Sequence, residues 1–407
     1  MRIAYLTTCS PLPVNSGHSL RVNAVWQALR EFGDVRLYAF NARLPFSTRT
    51  VLRAQGIVLL PGRHEAQLAL FARHARSFMG DRSMLYAKAY STRRMHRLAK
   101  EIKAWKTDLL VIGDTWIADL LPELRDSAHK VVVDTHNVES HLYARITKEK
   151  SWIHKLKFFL FYRNVCHLER NLLAADGVWT ASRADARVYR EDFGLPNVTV
   201  LPNAIDTIAY APQEAAAEPR TIVFTGTYSY WPNEAAALHL IHLSRRLERA
   251  GVRHRMLIVG RGPTPAMLKQ ARHSPSVTVT GPVPDIRAFI ARAALIAAPL
   301  SSGSGTKYKI LEALALGRPV LTTTMGAEGL ELRDGVEAAI VPDLTTFDAR
   351  LSALLDRPLL NERMGAAGRA WVVQTHSLEA LGSALDSALK TLGYSRVHAS
   401  AGRAADR

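Results

Sequence analysis

The chain has 407 residues with 48% hydrophobic and 22% charged content, which excludes a disordered or fibrous polymer and predicts two globular domains of roughly 180–200 residues each. Cys9 and Cys166 are its only cysteines, so a disulfide scaffold and cysteine-based metal spacing are excluded, and no apolar run reaches the ~18 residues of a membrane span. The net charge of +17, with a pI near 10.1, calls for a polyanionic partner: a phosphorylated substrate, an anionic membrane surface or nucleic acid.

Strand-like and helix-like segments alternate throughout, the pattern of parallel sheets covered by helices on both faces. The chain begins directly with the strand Arg2 to Leu6 and shows no apolar signal region, so a cytoplasmic location is expected. Ser16-Gly17-His18 then opens a helix whose Val22, Val25, Trp26, Leu29 and Phe32 form one apolar stripe. Ser16 suits a helix cap, Gly17 lets backbone amides approach an anion, and Arg21, one turn in, is a second candidate anion contact. Further strands are predicted at 35–40, 58–60, 109–112, 131–134 and 178–181. His136 directly follows the fourth of these, at the rim where such folds keep reactive groups, with Asp134 or Glu139 as candidates to orient its ring.

Much of the basic excess falls in two helical stretches, 73–106 and 148–170. In the first, Met95, Leu98, Ile102 and Trp105 recur at helical spacing while Arg93, Arg94, Arg97, Lys100 and Lys103 occupy other faces; in the second, aromatics from Trp152 to Tyr162 stand among lysines. Such helices suit the headgroup layer of an acidic bilayer, and equally a domain core beneath a solvated basic face.

The segment 206–219 has little apolar periodicity and reads as a linker. Strands resume at 221–224, 255–259, 277–279, 295–298, 320–322 and 338–341. The predicted organisation is a domain over 1–205, a linker over 206–219, a second domain over 220–392 whose last helix is free to pack back on the first, and a disordered tail over 393–407.

The most informative stretch is Pro299-Leu-Ser-Ser-Gly-Ser-Gly-Thr-Lys-Tyr-Lys-Ile-Leu-Glu-Ala-Leu-Ala-Leu-Gly-Arg-Pro-Val-Leu-Thr-Thr324. A buried strand meets the turn Gly303-Ser304-Gly305, which with Thr306 leads into a helix carrying Lys307, Lys309 and Glu312. Bare backbone amides, a helix N-terminus and two ammonium groups make a phosphate cradle, and Glu312 is placed to accept hydrogen bonds from a ribose diol. A nucleoside diphosphate is the expected ligand.

This run resembles the donor-site helix of glycosyltransferase family four, whose Glu-Ala-Met-Ala-x-Gly-x-Pro-Val-Val-like segment reads here Glu312-Ala-Leu-Ala-Leu-Gly-Arg-Pro-Val-Leu321. Ser16 to Arg21, Asp134-Thr-His-Asn137, Leu201-Pro-Asn-Ala-Ile-Asp206 and Phe224-Thr-Gly226 fall in the family's order. The resemblance implies an α/β protein of the GT-B fold, two Rossmann-like domains facing a cleft, and a mostly retaining transfer from a UDP- or GDP-linked sugar to a lipid-linked or saccharide acceptor. It implies that His136 contacts the transferred sugar, that Ser16, Gly17, His18 and Arg21 touch acceptor and donor, and that Gly226, Arg261 and Val283 help frame the nucleotide. There is no Asp-x-Asp cation motif, so no metal and no cofactor beyond the nucleotide sugar are expected; Lys307, Lys309 and the amides of 303–306 would carry the diphosphate charge.

Two departures stand out. Counting back from Glu312, the position of the family's first donor-site glutamate holds Ser304, and the Arg-Lys pair expected after the first strand of the second domain is replaced by Thr225-Gly-Thr-Tyr-Ser-Tyr-Trp-Pro-Asn233. A nucleotide-sugar epimerase of the same architecture is an alternative, although no acid-base set for it can be assembled. Nucleic-acid binding is another, but no recognition motif accompanies the charge.

Overall fold

The computed structural model describes residues 1–14, 16–40, 55–60, 92–149, 152–213, 217–303 and 305–395. The chain divides into two compact units, one comprising Met1–Pro202 with the segment from Leu381 onward, the other Asn203–Ala380.

The first unit is built on a seven-stranded sheet in the order β3-β2-β1-β4-β5-β6-β7. Its strands are β1 (Arg2–Thr7), β2 (Asp34–Phe40), β3 (Ile57–Leu60), β4 (Thr107–Gly113), β5 (Ala128–Thr135), β6 (Gly177–Thr180) and β7 (Val198–Val200), all paired in parallel. β1 is buried at every position from Ile3 to Thr7, as a parallel strand covered on both faces requires. The helix Gly17–Arg30 buries Val22, Val25, Trp26 and Leu29, and Ser16 caps it in a reciprocal pair with Ser19. The helix Thr92–Ala104 buries Met95, Leu98 and Ile102 in the core and leaves Arg93, Arg94, Arg97, Lys100 and Lys103 exposed. The expected basic stretch 73–91 lies outside the described residues, as do the side chains of 152–158.

The second unit is a six-stranded parallel sheet, β10-β9-β8-β11-β12-β13. It comprises β8 (Thr221–Thr225), β9 (Arg255–Val259), β10 (Val277–Gly281), β11 (Leu295–Ala298), β12 (Val320–Thr323) and β13 (Ala339–Val341). In both sheets the order reverses beside the unit's first strand, which opens a crevice at the carboxyl ends of the strands.

Residues 206–211, part of the expected linker, are fastened to the second unit. Arg369 donates to the carbonyls of Thr207, Tyr210 and Ala315 at 2.7, 3.2 and 2.7 Å, and Ile205 bridges to Ser377. Of the expected tail, Tyr394 donates its hydroxyl to the Asp108 carbonyl at 2.7 Å; residues 396–407 lie outside the described residues.

Two buried carboxyls stabilise the start of the helix Glu139–Glu149. Glu169 accepts the Glu139 N–H at 2.8 Å and the Tyr189 hydroxyl at 3.2 Å, while Glu139 accepts from Asn137 at 3.1 Å. Burial pushes Glu139 up to about 8 and Glu169 up to about 7. A raised carboxyl binds more protons folded than unfolded, so its contribution is full below its ordinary value of 4.5 and is lost as pH rises toward 8. Glu139→Gln is therefore expected to flatten the fall in Tm between pH 5 and 8 by a few degrees, at ~2–4 °C per kcal/mol. An unchanged slope in a calorimetric pH series would contradict the assignment.

Candidate active site

In the second unit, β8, β9 and β11 are neighbours in one parallel sheet, so the turns that leave them lie side by side. The Gly226 N–H donates to the Val259 carbonyl at 3.0 Å and that of Tyr228 to the Arg261 carbonyl at 2.8 Å. A Cβ on Gly260 would stand 1.8 Å from the Gly226 carbonyl oxygen, so no side chain fits there.

Gly303 and Gly305 take φ values of 119° and 65°, which L side chains rarely adopt, and the helix Tyr308–Ala315 follows with Lys307 at its N-cap. Lys307 Nζ donates to the Gly305 carbonyl and stands 3.9 Å from Glu328 Oε2. Ser302 Oγ and Thr306 Oγ1 are buried and have no partner among the described residues. Such a group costs about 1–3 kcal/mol when left unsatisfied, and here two of them flank a bend that opens onto the orphan amides of a helix start. Ser304 lies outside the described residues.

Of the two lysines expected at the diphosphate, only Lys307 is in contact with the turn. Lys309 donates to Asn233 Oδ1 at 2.5 Å and lies 4.4 Å from the Phe224 ring centroid, and burial depresses its amine to about 7. Glu312 faces the same helix flank; burial pushes its carboxyl up to about 7, and its Oε1 accepts the Tyr210 hydroxyl at 3.0 Å. Arg261 is exposed in the β9 turn, and Val283 is half-buried just after Gly281, whose φ is 70°.

In the first unit the ends of β1, β4 and β5 gather a polar cluster. Asp114 follows β4 with φ 147°, an unusual conformation for a residue with a side chain, and is buried. Its Oδ2 accepts the Thr8 hydroxyl at 2.9 Å and lies 3.8 Å from His18 Nε2, while its Oδ1 accepts the Trp116 N–H at 3.1 Å. His18 meets His136 edge to face, with ring centroids 4.4 Å apart. Burial, then the proximity of His18 and Arg21, holds His136 well below the ordinary imidazole value, so it is neutral at physiological pH. One donor atom each from His18, Asp114 and His136 lie within 4.8 Å of one another, a spacing that suits a divalent cation or the hydroxyls of a sugar.

Neither carboxylate expected to orient His136 does so. Asp134 Oδ2 is 3.9 Å from His136 Nε2, beyond hydrogen-bond reach, and the other oxygen of Asp134 pairs with Arg21; Glu139 is engaged with Asn137. Arg21 is itself only 2% exposed and also donates to the Leu201 carbonyl at 3.1 Å, so it is a buried strut and not an open anion contact. The hydroxyl of Ser16 is committed to its cap, leaving Gly17 exposed and His18 half-buried as the accessible part of that turn. Asp114, Tyr210 and Asn233 escaped the sequence reading, although Asp114 follows the apolar run Leu109 to Gly113 just as His136 follows its own strand.

Two doubly wound parallel sheets of this kind make the GT-B fold, and a stretch of the second unit matches a glycosyltransferase family. Residues 219–357 match the family described as Glycosyl transferases group 1. The chain is 32% identical over 181 residues to the phosphatidyl-myo-inositol mannosyltransferase of Mycobacterium leprae (strain TN), a match covering 41% of this chain and 47% of that protein, about half its length. Among solved structures it is similar to Anabaena HepE in complex with UDP and glucose, at 14% identity and TM-score 0.67 over 96% of this chain and 100% of that one. It is likewise similar to the sucrose-phosphate synthase of Thermosynechococcus elongatus, at 13% identity and TM-score 0.69 over 97% and 99% of the two chains. Among the described residues no helix is long and apolar enough to cross a membrane.

Proposed function

We propose that this protein transfers a sugar from a UDP- or GDP-linked donor to a lipid-linked or saccharide acceptor, with retention and without a metal, in the synthesis of a cell-envelope glycolipid or polysaccharide. The observation that carries this is the Gly303–Gly305 bend, flanked by the buried hydroxyls of Ser302 and Thr306 and backed by Lys307. As the anomeric C–O bond breaks, its electron pair goes to the β-phosphate oxygen, where charge grows. Donors already aimed at that charge lower the barrier most. The acceptor oxygen bonds to the anomeric carbon, and its proton passes to the departing phosphate. Glu312 has its second oxygen for a ribose hydroxyl, and neutral His136 suits hydrogen bonding to a sugar. The HepE complex with UDP and glucose and the mannosyltransferase, whose name specifies a lipid acceptor, support this donor and acceptor class.

A thermal-shift panel of nucleoside diphosphates, followed by donor hydrolysis with the matching nucleotide sugars in the presence and absence of EDTA, tests the reading. A rise in Tm with UDP or GDP and EDTA-insensitive hydrolysis are expected; no response to any nucleoside diphosphate would overturn it. An epimerase would change the donor sugar with no acceptor present. We place the protein in the cytoplasm, peripherally on the inner face of the membrane, because the exposed basic face of Thr92–Ala104 matches an anionic surface. Salt-sensitive flotation with anionic vesicles is expected, and its absence at low salt would favour a soluble acceptor.

A further inference from the structure

We propose that Tyr230 and Trp231 form the surface on which the transferred sugar of the donor rests, an inference that depends on the nucleotide-sugar reading above. Among the described aromatic residues of the second unit, all are buried or half-buried except these two, which are 46% and 41% exposed. They are adjacent, Tyr230 at the N-cap and Trp231 at the first position of the helix Trp231–Arg249. Leaving two neighbouring rings half in water forfeits apolar burial at about 25 cal/mol per Å², and such exposure at one spot marks an interaction surface.

Their position is fixed from both sides. On one side the loop is tied to the β9 turn through Gly226 and Tyr228, and the buried Tyr228 hydroxyl donates to the Val259 carbonyl at 3.0 Å. On the other, a Cβ on Gly303 would lie 3.5 Å from the Tyr230 hydroxyl and 3.7 Å from Lys307 Cε. Tyr230, the glycine bend and Lys307 therefore converge on one point.

The order of parts identifies the occupant. Glu312, assigned to the ribose, lies beyond the first turn of the helix; the bend and Lys307 precede that helix and take the diphosphate; the Tyr230 hydroxyl lies beside Gly303, the end of the bend farther along the chain from Glu312, and Trp231 adjoins it. A nucleotide sugar has the same sequence of ribose, diphosphate and hexose. A pyranose presents a face of C–H groups that packs on an aromatic ring, and the polar rim of Tyr and Trp suits its hydroxyls. The rings also occupy the loop in which the expected Arg-Lys pair is missing, so this loop supplies apolar surface in place of charge.

The test compares wild-type protein with Tyr230→Ala, Trp231→Ala, the double variant and Tyr230→Phe. UDP and GDP serve as nucleotide probes, UDP-glucose and GDP-mannose as donor probes. For whichever pair the wild type uses, the alanine variants are expected to lower kcat/KM for donor hydrolysis about tenfold. The Kd of the nucleoside diphosphate should move less than about twofold, and Tyr230→Phe should retain activity. Unchanged donor kinetics in the double variant with nucleoside diphosphate binding intact would overturn this inference and leave the nucleotide-sugar reading standing. Equal losses for nucleoside diphosphate and donor would also overturn it, since the rings would then serve the nucleotide. A wild-type protein that binds neither UDP nor GDP would take down both.

Discussion

Replacing Lys307 with alanine is expected to lower donor hydrolysis and transfer by about 10²–10³-fold, the loss typical of removing one preorganised donor from a site of developing charge. Lys307 is the ammonium group that reaches the bend, through the Gly305 carbonyl, and it is largely shielded from solvent, with 10% of its side chain exposed. Shielding strengthens its attraction for a phosphate relative to a surface lysine. The substitution also removes the ammonium that now stands 3.9 Å from the Glu328 carboxylate. Lys307→Ala with Glu328→Gln is therefore expected to recover part of the loss, about tenfold, whereas Glu328→Gln alone has a small effect. A single-turnover assay with saturating donor separates this from weakened binding. Near-normal turnover in Lys307→Ala would remove the bend from the mechanism. Lys309 provides an internal comparison: with its amine depressed to about 7 and engaged by Asn233, it contributes less charge at physiological pH, so Lys309→Ala should cost turnover less than Lys307→Ala.

The elements that could be read from the chain are those whose chemistry is local. The glycines of the 303–305 bend, the apolar runs of β1, β4, β5 and β11 and the stripe of Gly17–Arg30 each signal their own conformation. β7 is three residues long, Val198–Val200, too short for any alternation to register, and it exists because β6 offers it an edge. The side-chain partnerships were hidden for a different reason. Arg21 and Asp134 are separated by 113 residues and Tyr210 and Glu312 by 102, and nothing in either neighbourhood names the other. Arg21 stands one turn into a helix beside a glycine turn, which reads as an anion contact until the fold brings Asp134 to it. Lys309 has the same history: its spacing from Lys307 suggests a second phosphate contact, and only the packing of Asn233 and Phe224 against the helix redirects it.

Replacing Arg21 with alanine is expected to destabilise the first unit by about 3–5 kcal/mol, the cost of leaving one charge of a buried pair without its partner. Asp134 is fully buried, and burial raises its carboxyl pKa against the opposing pull of Arg21. Without the guanidinium that pull is gone, and the Leu201 carbonyl loses its donor as well. For a domain of this size the loss corresponds to a fall in Tm of about 6–20 °C. Its pH dependence identifies the cause. With Arg21 absent the folded-state pKa of Asp134 moves further above its ordinary 3.8, so the variant's folded state gains protons relative to the unfolded chain. The deficit should therefore be greatest near neutrality and shrink as pH falls, because Asp134 then takes up a proton and the buried charge disappears. Adding Asp134→Asn should recover much of the lost Tm at neutral pH and abolish that pH dependence. A Tm for Arg21→Ala within a degree or two of wild type would mean that Asp134 finds water or another cation, and that the turn at Ser16–His18 is held in place by its cap alone.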